Sequence, residues 1–334
     1  MDRRQFLTTS AAAAALAAQP AFVHAQDKGR LIFMTPAAYS LAFAPTLFAS
    51  ASGLFDKEGV RVQVEAGRGA AQSIQLVAAK QVQAGRTGGA NYMIARVNNN
   101  APVVAFATIA QRSPFAIISA SSAPIEKPED VIGKVIGMQS AGGSMEATLD
   151  LMLMRANIPG DKLRRERVAD SAASYGMIES KRVDGFLGNT SSAIRLLAQN
   201  YPVTTFKLDD GVPGQVYVAD EAILNTNPDP YIAFTRAVHK GIQQLSAMDD
   251  DGLRKAIELM GSKFSIPGVN NAAVALADLR ANMELWSVGG AYKNALRCDP
   301  KHWADAEALL RKANIVKGAT KPMYAASIWE RAVG

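Results

Sequence analysis

A ten-residue segment occurs twice in the chain, and this constrains the fold more than any other feature. Lys80-Gln-Val-Gln-Ala-Gly-Arg-Thr-Gly-Gly89 can be laid over Lys181-Arg-Val-Asp-Gly-Phe-Leu-Gly-Asn-Thr190. Each copy reads as a helix end, a short strand and a small polar loop that opens the next helix. The copies stand about a hundred residues apart, one in each half, within the same order of flanking elements. Two similar α/β lobes, each presenting an equivalent loop, imply a cleft between the lobes.

The rest of the chain alternates in the same way. Leu31–Met34, Val60–Val64, Val103–Ile109, Phe115–Ser119, Val135–Met138, Val183–Leu187, Val203–Phe206 and Gln215–Val218 are short apolar runs bounded by turn residues, and they read as strands, with a further strand around Arg167-Val168. Ala42–Ser52, Ala70–Lys80, the segment from Ser144, Ser171–Ser180 and Ser191–Ala198 carry helical periodicity. From Asp229 onward the pattern is wholly helical, over Asp229–Met248, Asp251–Met260, Asn271–Trp286 and Lys301–Ala313. Alternating strands and helices predict parallel sheets with ligands at the strand C-termini.

Gln139-Ser-Ala-Gly-Gly-Ser144 joins the strand ending at Met138 to a helix. Gly142 and Gly143 permit a tight turn, Ser144 is expected as N-cap, and free N–H groups at a helix start favour an anion. The loop is neither a Walker loop nor a dinucleotide fingerprint, because it lacks Gly-Lys-Ser/Thr and the required glycine spacing.

At the N-terminus, Arg3-Arg4-Gln5-Phe6-Leu7 is a twin-arginine pattern. An alanine-rich run over 11–18 follows, and Val23-His24-Ala25 supplies small residues for cleavage. Residues 1–25 are therefore read as an export signal, and the mature protein as soluble, periplasmic and not lipid-anchored. Without Arg3, Arg4 and Asp2 the chain holds 34 Lys+Arg against 29 Asp+Glu, a net charge of +5. That excess is spread out, with no basic run interleaved with aromatics, which argues against nucleic acid. It suits a small anion. The single Cys298 excludes a disulfide framework, and His239 and His302 stand in separate helical contexts, so no metal or cofactor is expected.

Gly53-Leu-Phe55, Glu58-Gly-Val60, the helix end at Lys80, Gln111-x-x-Pro114, Glu129-Asp-x-x-Gly-Lys134 and Val183-Asp-Gly185, in this order, resemble the substrate-binding proteins of ABC importers for sulfonates, taurine, nitrate and thiamine-pyrimidine precursors. The resemblance covers most of residues 30–250. It implies a two-lobed periplasmic binding-protein fold of type II with two crossing segments, Gln111–Phe115 and Gly211–Val218, and a C-terminal helical tail returning to the first lobe. Lobe 1 is expected over 27–112 and 218–334, and lobe 2 over 113–217. The implied partners are a small-molecule ligand and an inner-membrane permease, with the protein a monomer. Two positions depart from the family pattern. Gln83 stands where an Asp is frequent, and Arg86-Thr-Gly-Gly89 stands where a small loop is usual.

The candidate ligand contacts lie at strand ends and crossings. Arg86 offers a fork for a carboxylate or sulfonate, with Thr87 beside it. Ser140, Gly142, Gly143 and Ser144 offer N–H and hydroxyl donors. Tyr39 and Ser40 end the first strand, where an aromatic can stack on a ring, and Arg68 and Gly69 end the second. Asn189 and Thr190 match Gly88 and Gly89 by the repeat. Gln111 and Ser113 lie on the first crossing, and Gln215 and Tyr217 on the second. Met145, Met152 and Met154, with Trp286, Trp303 and Trp329, are read as packing. Glu146, Asp150, Asp170 and Asp184 show no paired spacing, and no Gly-x-Ser-x-Gly elbow is present. The expectation is a binding protein for a small organic anion and not an enzyme. The alternatives are a neutral pyrimidine-like ligand, an enzyme of pyrimidine-precursor synthesis built on the same architecture, or a ligand-presenting sensory module.

Overall fold

The computed structural model of the chain describes residues 30–139, 143–208, 211–287 and 289–334. The export signal over 1–25 lies outside them, as do Ser140 and Gly142 of the small-residue loop.

Among the described residues ten strands form two mixed sheets. They are β1 (Arg30–Thr35), β2 (Arg61–Ala66), β3 (Ala84–Gly88), β4 (Val103–Ala110), β5 (Phe115–Ala120), β6 (Val135–Met138), β7 (Arg164–Arg167), β8 (Gly185–Asn189), β9 (Val203–Lys207) and β10 (Gln215–Asp220). The first sheet runs β2-β1-β3-β10-β4 and the second β7-β6-β8-β5-β9. The helices are α1 (Ala44–Ala51), α2 (Leu54–Lys57), α3 (Ala70–Ala78), α4 (Gly89–Val97), α5 (Ser144–Arg155), α6 (Tyr175–Glu179), α7 (Thr190–Ala198), α8 (Glu221–Thr226), α9 (Asp229–Ala247), α10 (Asp250–Lys263), α11 (Ala272–Met283), α12 (Pro300–Lys312) and α13 (Ala326–Val333). None of the described helices is long and apolar enough to cross a membrane.

The internal repeat is a repeat of structure. β3 and α4 occupy the first copy in the register that β8 and α7 occupy in the second. Each strand has a parallel neighbour on one side (β1, β6) and an antiparallel one on the other (β10, β5). Lys80 and Lys181, matched in the alignment, both take left-handed backbone at φ 59° and 57°. That conformation is unusual for a residue with a Cβ, and it turns the chain sharply out of the preceding helix. The matched Gln83 and Asp184 also do one job. Gln83 Oε1 accepts from the Ile32 N–H at 2.9 Å and Asp184 Oδ2 from the Val135 N–H at 2.8 Å. The position needs an acceptor for a neighbouring strand, which an amide oxygen supplies as well as a carboxylate.

The alternation along β10 shows how the sheet is filled. Val216 and Val218 enter one core, Tyr217 and Ala219 the opposite one. β10 pairs on both sides from its first residue, Gln215 with Gly88 and with Ala110. The second crossing therefore ends before Gln215, earlier than the 211–218 span read from the sequence, and Gln215, Val216 and Tyr217 belong to the first sheet. β4 is buried at all eight positions although it ends the sheet. The tail covers it: Ala325 N–H donates to Ala105 O, Thr108 N–H donates to Leu296 O, and Trp303 Nε1 donates to Thr108 Oγ1. A covered edge offers no template for pairing with another chain. Trp286 and Trp303 are buried in the first lobe, and Met145 and Met152 in the second.

Element boundaries differ from the sequence expectation where polar strands or short helices are involved. β7 is Arg164–Arg167, ahead of the expected Arg167-Val168, because four charged residues there pair with β6 without an apolar signal. Ser171–Ser180 divides into a 3-10 turn, Ala172–Ser174, and α6.

Candidate functional site

The end of β3 and the start of α4 meet the second crossing, where the Gly89 N–H donates to Gly214 O, and the two crossings run side by side. A Cβ on Gly214 would lie 1.8 Å from Arg112 O, so glycine lets one crossing pass against the other. Into this region projects Arg86, and alternation along β3 sets its direction. Gly85 faces Ser73 of α3, so Ala84, Arg86 and Gly88 face the other side, toward α1. The repeat places Leu187 opposite Arg86 in the second lobe, fully buried in a core. One lobe has a core leucine where the other has a guanidinium.

Arg86 is only 4 % exposed. Its Nη1 donates to Ala42 O at 2.7 Å and its Nε to Gln215 Oε1 at 3.2 Å. Its guanidinium carbon lies 4.9 Å from the Phe43 ring centroid. Among the described residues no carboxylate pairs with it. Burial pulls its pKa down to about 10, with Tyr217 nearby acting in the opposite direction. A buried cation without a counter-charge carries a desolvation penalty of several kcal/mol, which an anion held by the same fork offsets. The 3-10 turn Leu41–Phe43 and α1 begin beside it.

The second lobe supplies a donor across the gap. α5 begins at Ser144, and its N-cap is Gly143; the expected capping role of Ser144 is not observed. The Ser144 Oγ is buried and has no hydrogen-bond partner among the described residues. It lies 2.3 Å from the point where a Cβ on Gly88 would stand, and Gln215 Nε2 lies 3.6 Å from that point. Arg86, Gly88, Gln215 and Ser144 are thus gathered on one side of the first sheet. Charge, amide and hydroxyl donors converge there from both lobes.

A second contact joins the lobes. Ser191 Oγ, in the first turn of α7, donates to Asp278 Oδ1 of α11 at 2.6 Å, and Asn282 Nδ2 donates to the same oxygen at 2.8 Å.

Other sequence candidates are placed elsewhere. The Tyr39 hydroxyl donates to Val64 O, and its ring meets Phe264 edge-on at 5.0 Å. It lines a cavity of about 410 Å³ with Arg30, Arg61 and Lys263, all first-lobe residues on the outer edge of the sheet, so it does not wall the gap between lobes. Ser40 precedes the 3-10 turn without a side-chain cap. Arg68 is exposed, and its N–H donates to Gln72 Oε1; Gly69 is the N-cap of α3. Thr87 is buried on the opposite face from Arg86 and accepts from Asn91 Nδ2. Gln111 Nε2 donates to Thr108 O and Arg297 O, which fastens it to the tail, and Ser113 Oγ accepts from the Phe115 N–H. Asn189 caps α7, accepting from the Ser192 N–H while donating to Asp170. Thr190 Oγ1 donates to Pro114 O. The Tyr217 hydroxyl pairs with Thr46 Oγ1 at 2.7 Å inside an aromatic cluster with Phe33 and Phe234, a core position. Ser140 and Gly142 fall outside the described residues. Asp278, Asn282, Ala42 and Phe43 are not candidates by sequence. Nothing local marks them, because they reach the site only through the return of the tail and the turn after β1.

Residues 40–251 match the family model described as NMT1/THI5 like. Among solved structures, the alkanesulfonate-binding protein SsuA from Xanthomonas axonopodis pv. citri superposes with a TM-score of 0.68 at 12 % identity, covering 90 % of this chain and 97 % of that one. The nitrate-binding protein NrtA from Synechocystis gives 0.67 at 13 % identity, covering 91 % and 88 %. The desulfurization enzyme DszB gives 0.60 at 13 % identity, covering 91 % and 98 %. No curated protein matches the sequence.

Proposed function

We propose that this chain, which belongs to the NMT1/THI5-like family and has the periplasmic binding-protein fold, is the ligand-binding component of an ABC importer and takes a small organic anion, an aromatic or aliphatic carboxylate or sulfonate. The observation that carries the reading is Arg86, buried on the cleft side of β3 with a free fork edge and no carboxylate partner among the described residues. Ser144, from the other lobe, brings an unpartnered hydroxyl and the first turn of α5 to the same place. An anion bound between them would join the lobes through charge-assisted hydrogen bonds, each worth roughly 1.5–3 kcal/mol. The groups gathered among the described residues are donors, suited to holding negative charge, which supports binding without turnover. Delivery to a permease and residence in the periplasm belong to the same reading, supported by the fold's relatives and by the twin-arginine segment of the sequence.

Native mass spectrometry of the purified protein, followed by a thermal-shift screen of carboxylates, sulfonates and pyrimidines, tests the reading. A stabilising anion that is recovered unchanged after prolonged incubation supports it. Stabilisation by neutral pyrimidines alone, read by Gln215 and Ser144, would favour the neutral-heterocycle alternative. Chemical conversion of the bound compound would favour an enzyme.

A further inference from the structure

Asp278 is 1 % exposed and lies where the lobes touch. Its two oxygens are treated unequally. Oδ1 accepts from Ser191 Oγ at 2.6 Å and from Asn282 Nδ2 at 2.8 Å. Oδ2 faces Arg195 Nη2, 3.8 Å away, and that nitrogen already donates to Pro267 O at 3.1 Å. A buried carboxylate normally needs both oxygens satisfied, since its desolvation is the largest opposing contribution. Ser191 and Arg195 belong to α7 in the second lobe, while Asp278 and Asn282 belong to α11 in the first. The burial of this carboxylate is therefore completed only when the lobes come together.

We propose that Asp278 is a positioning residue that opposes closure: the seam between α7 and α11 seals over an incompletely solvated carboxylate, which holds the ligand-free protein toward the open state until ligand binding offsets that penalty. The proposal rests on the reading of the lobes as a ligand clamp, and its test needs no ligand.

The sign follows from burial. Desolvation raises the Asp278 pKa above its ordinary value where the lobes touch, with the Ser191 hydroxyl, Arg195 and Asn282 opposing it. On this proposal parting the lobes withdraws the α7 side of that burial and so relieves the desolvation. The touching state binds the proton more readily, so closure is favoured as pH falls through the raised value and disfavoured above it. Arg195 is the one charged residue of α7, and the 3-10 turn Leu41–Phe43, which also packs on α11, carries none. α10 meets α11 through the exposed Asp250–Arg280 pair. Asp170 accepts from Asn189 within the second lobe, and Arg195 acts on it as well.

Asp278→Asn keeps the shape and an acceptor for Ser191 while removing the charge. Small-angle scattering on ligand-stripped protein is expected to give a smaller radius of gyration for this variant than for wild type at pH 7.5. Wild type should contract toward the variant's value as pH is lowered through the raised carboxyl value, and the variant should lose that response. Arg195→Met, at a partly exposed position, removes the cation facing Oδ2; it should expand the protein at pH 7.5 and match wild type at the lower pH. An Asp278→Asn protein as extended as wild type at pH 7.5, or a wild type with no pH response, would overturn the proposal. Neither result depends on whether an anionic ligand is ever found.

Discussion

Ser144 Oγ of the second lobe stands 2.3 Å from the position that a Cβ on Gly88 of the first lobe would occupy. The lobes meet at this point only because residue 88 has no side chain. Its φ is an ordinary −69°, so the requirement comes from contact and not from backbone conformation. Gly88→Ala should hold the lobes apart without unfolding either one. The expected result is a larger radius of gyration with ligand present and affinity weakened at least tenfold, at an almost unchanged melting temperature. Calorimetry and scattering on the same sample check both; unaltered affinity would show that this contact is not part of the bound state.

The repeat makes both lobes legible in the sequence, because matching strands and helices recur in one register through Lys80 and Lys181. Arg86 is legible too, as a charged residue inside a short buried strand. Ser144 stands out in the sequence as a helix cap, which is not the property that matters: the fold leaves it inside the first turn with an unpartnered hydroxyl. Tyr39 and Tyr217 illustrate the limit. A tyrosine at a strand end reads the same whether its hydroxyl meets a ligand or a neighbouring strand, and here the partners are Val64 O and Thr46. Asp278 is illegible because its partner Ser191 is 87 residues away, and only the return of the tail brings them together.

Arg86→Ala should weaken binding of the cognate anion by about tenfold to over a hundredfold, the equivalent of losing one desolvated charge-assisted bond. Arg86→Lys should recover only part of this. A single ammonium cannot span Ala42 O, Gln215 Oε1 and a ligand oxygen as the fork does. Isothermal titration of both variants decides it: equal binding by wild type and Arg86→Ala would remove the anchoring role.

Export is predicted to depend on Arg3 and Arg4. Replacing both with lysine keeps the positive charge but not the paired guanidinium signal, and the precursor should remain in the cytoplasm with residues 1–25 attached. Fractionation with N-terminal sequencing reads the outcome directly, and processed protein in the periplasm would rule out this route.

Arg96 gives the sharpest stability test, because two explanations of its importance predict different rankings. It is 2 % exposed and joins α4 to two distant segments. Its Nε donates to Pro322 O at 2.7 Å, its Nη1 to Val103 O at 2.5 Å, and its Nη2 pairs with Glu221 at 2.6 Å. If the ion pair dominated, Glu221→Gln and Arg96→Met would cost similar amounts. Glu221 is 39 % exposed, however, so water compensates much of what it would lose. The Val103 carbonyl, fully buried, has no such recourse, and leaving it without a donor costs about 1–3 kcal/mol. Arg96→Met should therefore destabilise by about 2–4 kcal/mol, and Glu221→Gln, which keeps both carbonyl contacts but leaves the guanidinium without its counter-charge, by less. Urea unfolding of the two variants measures the ranking. Similar midpoints would mean that the ion pair, and not the carbonyl contacts, makes Arg96 important.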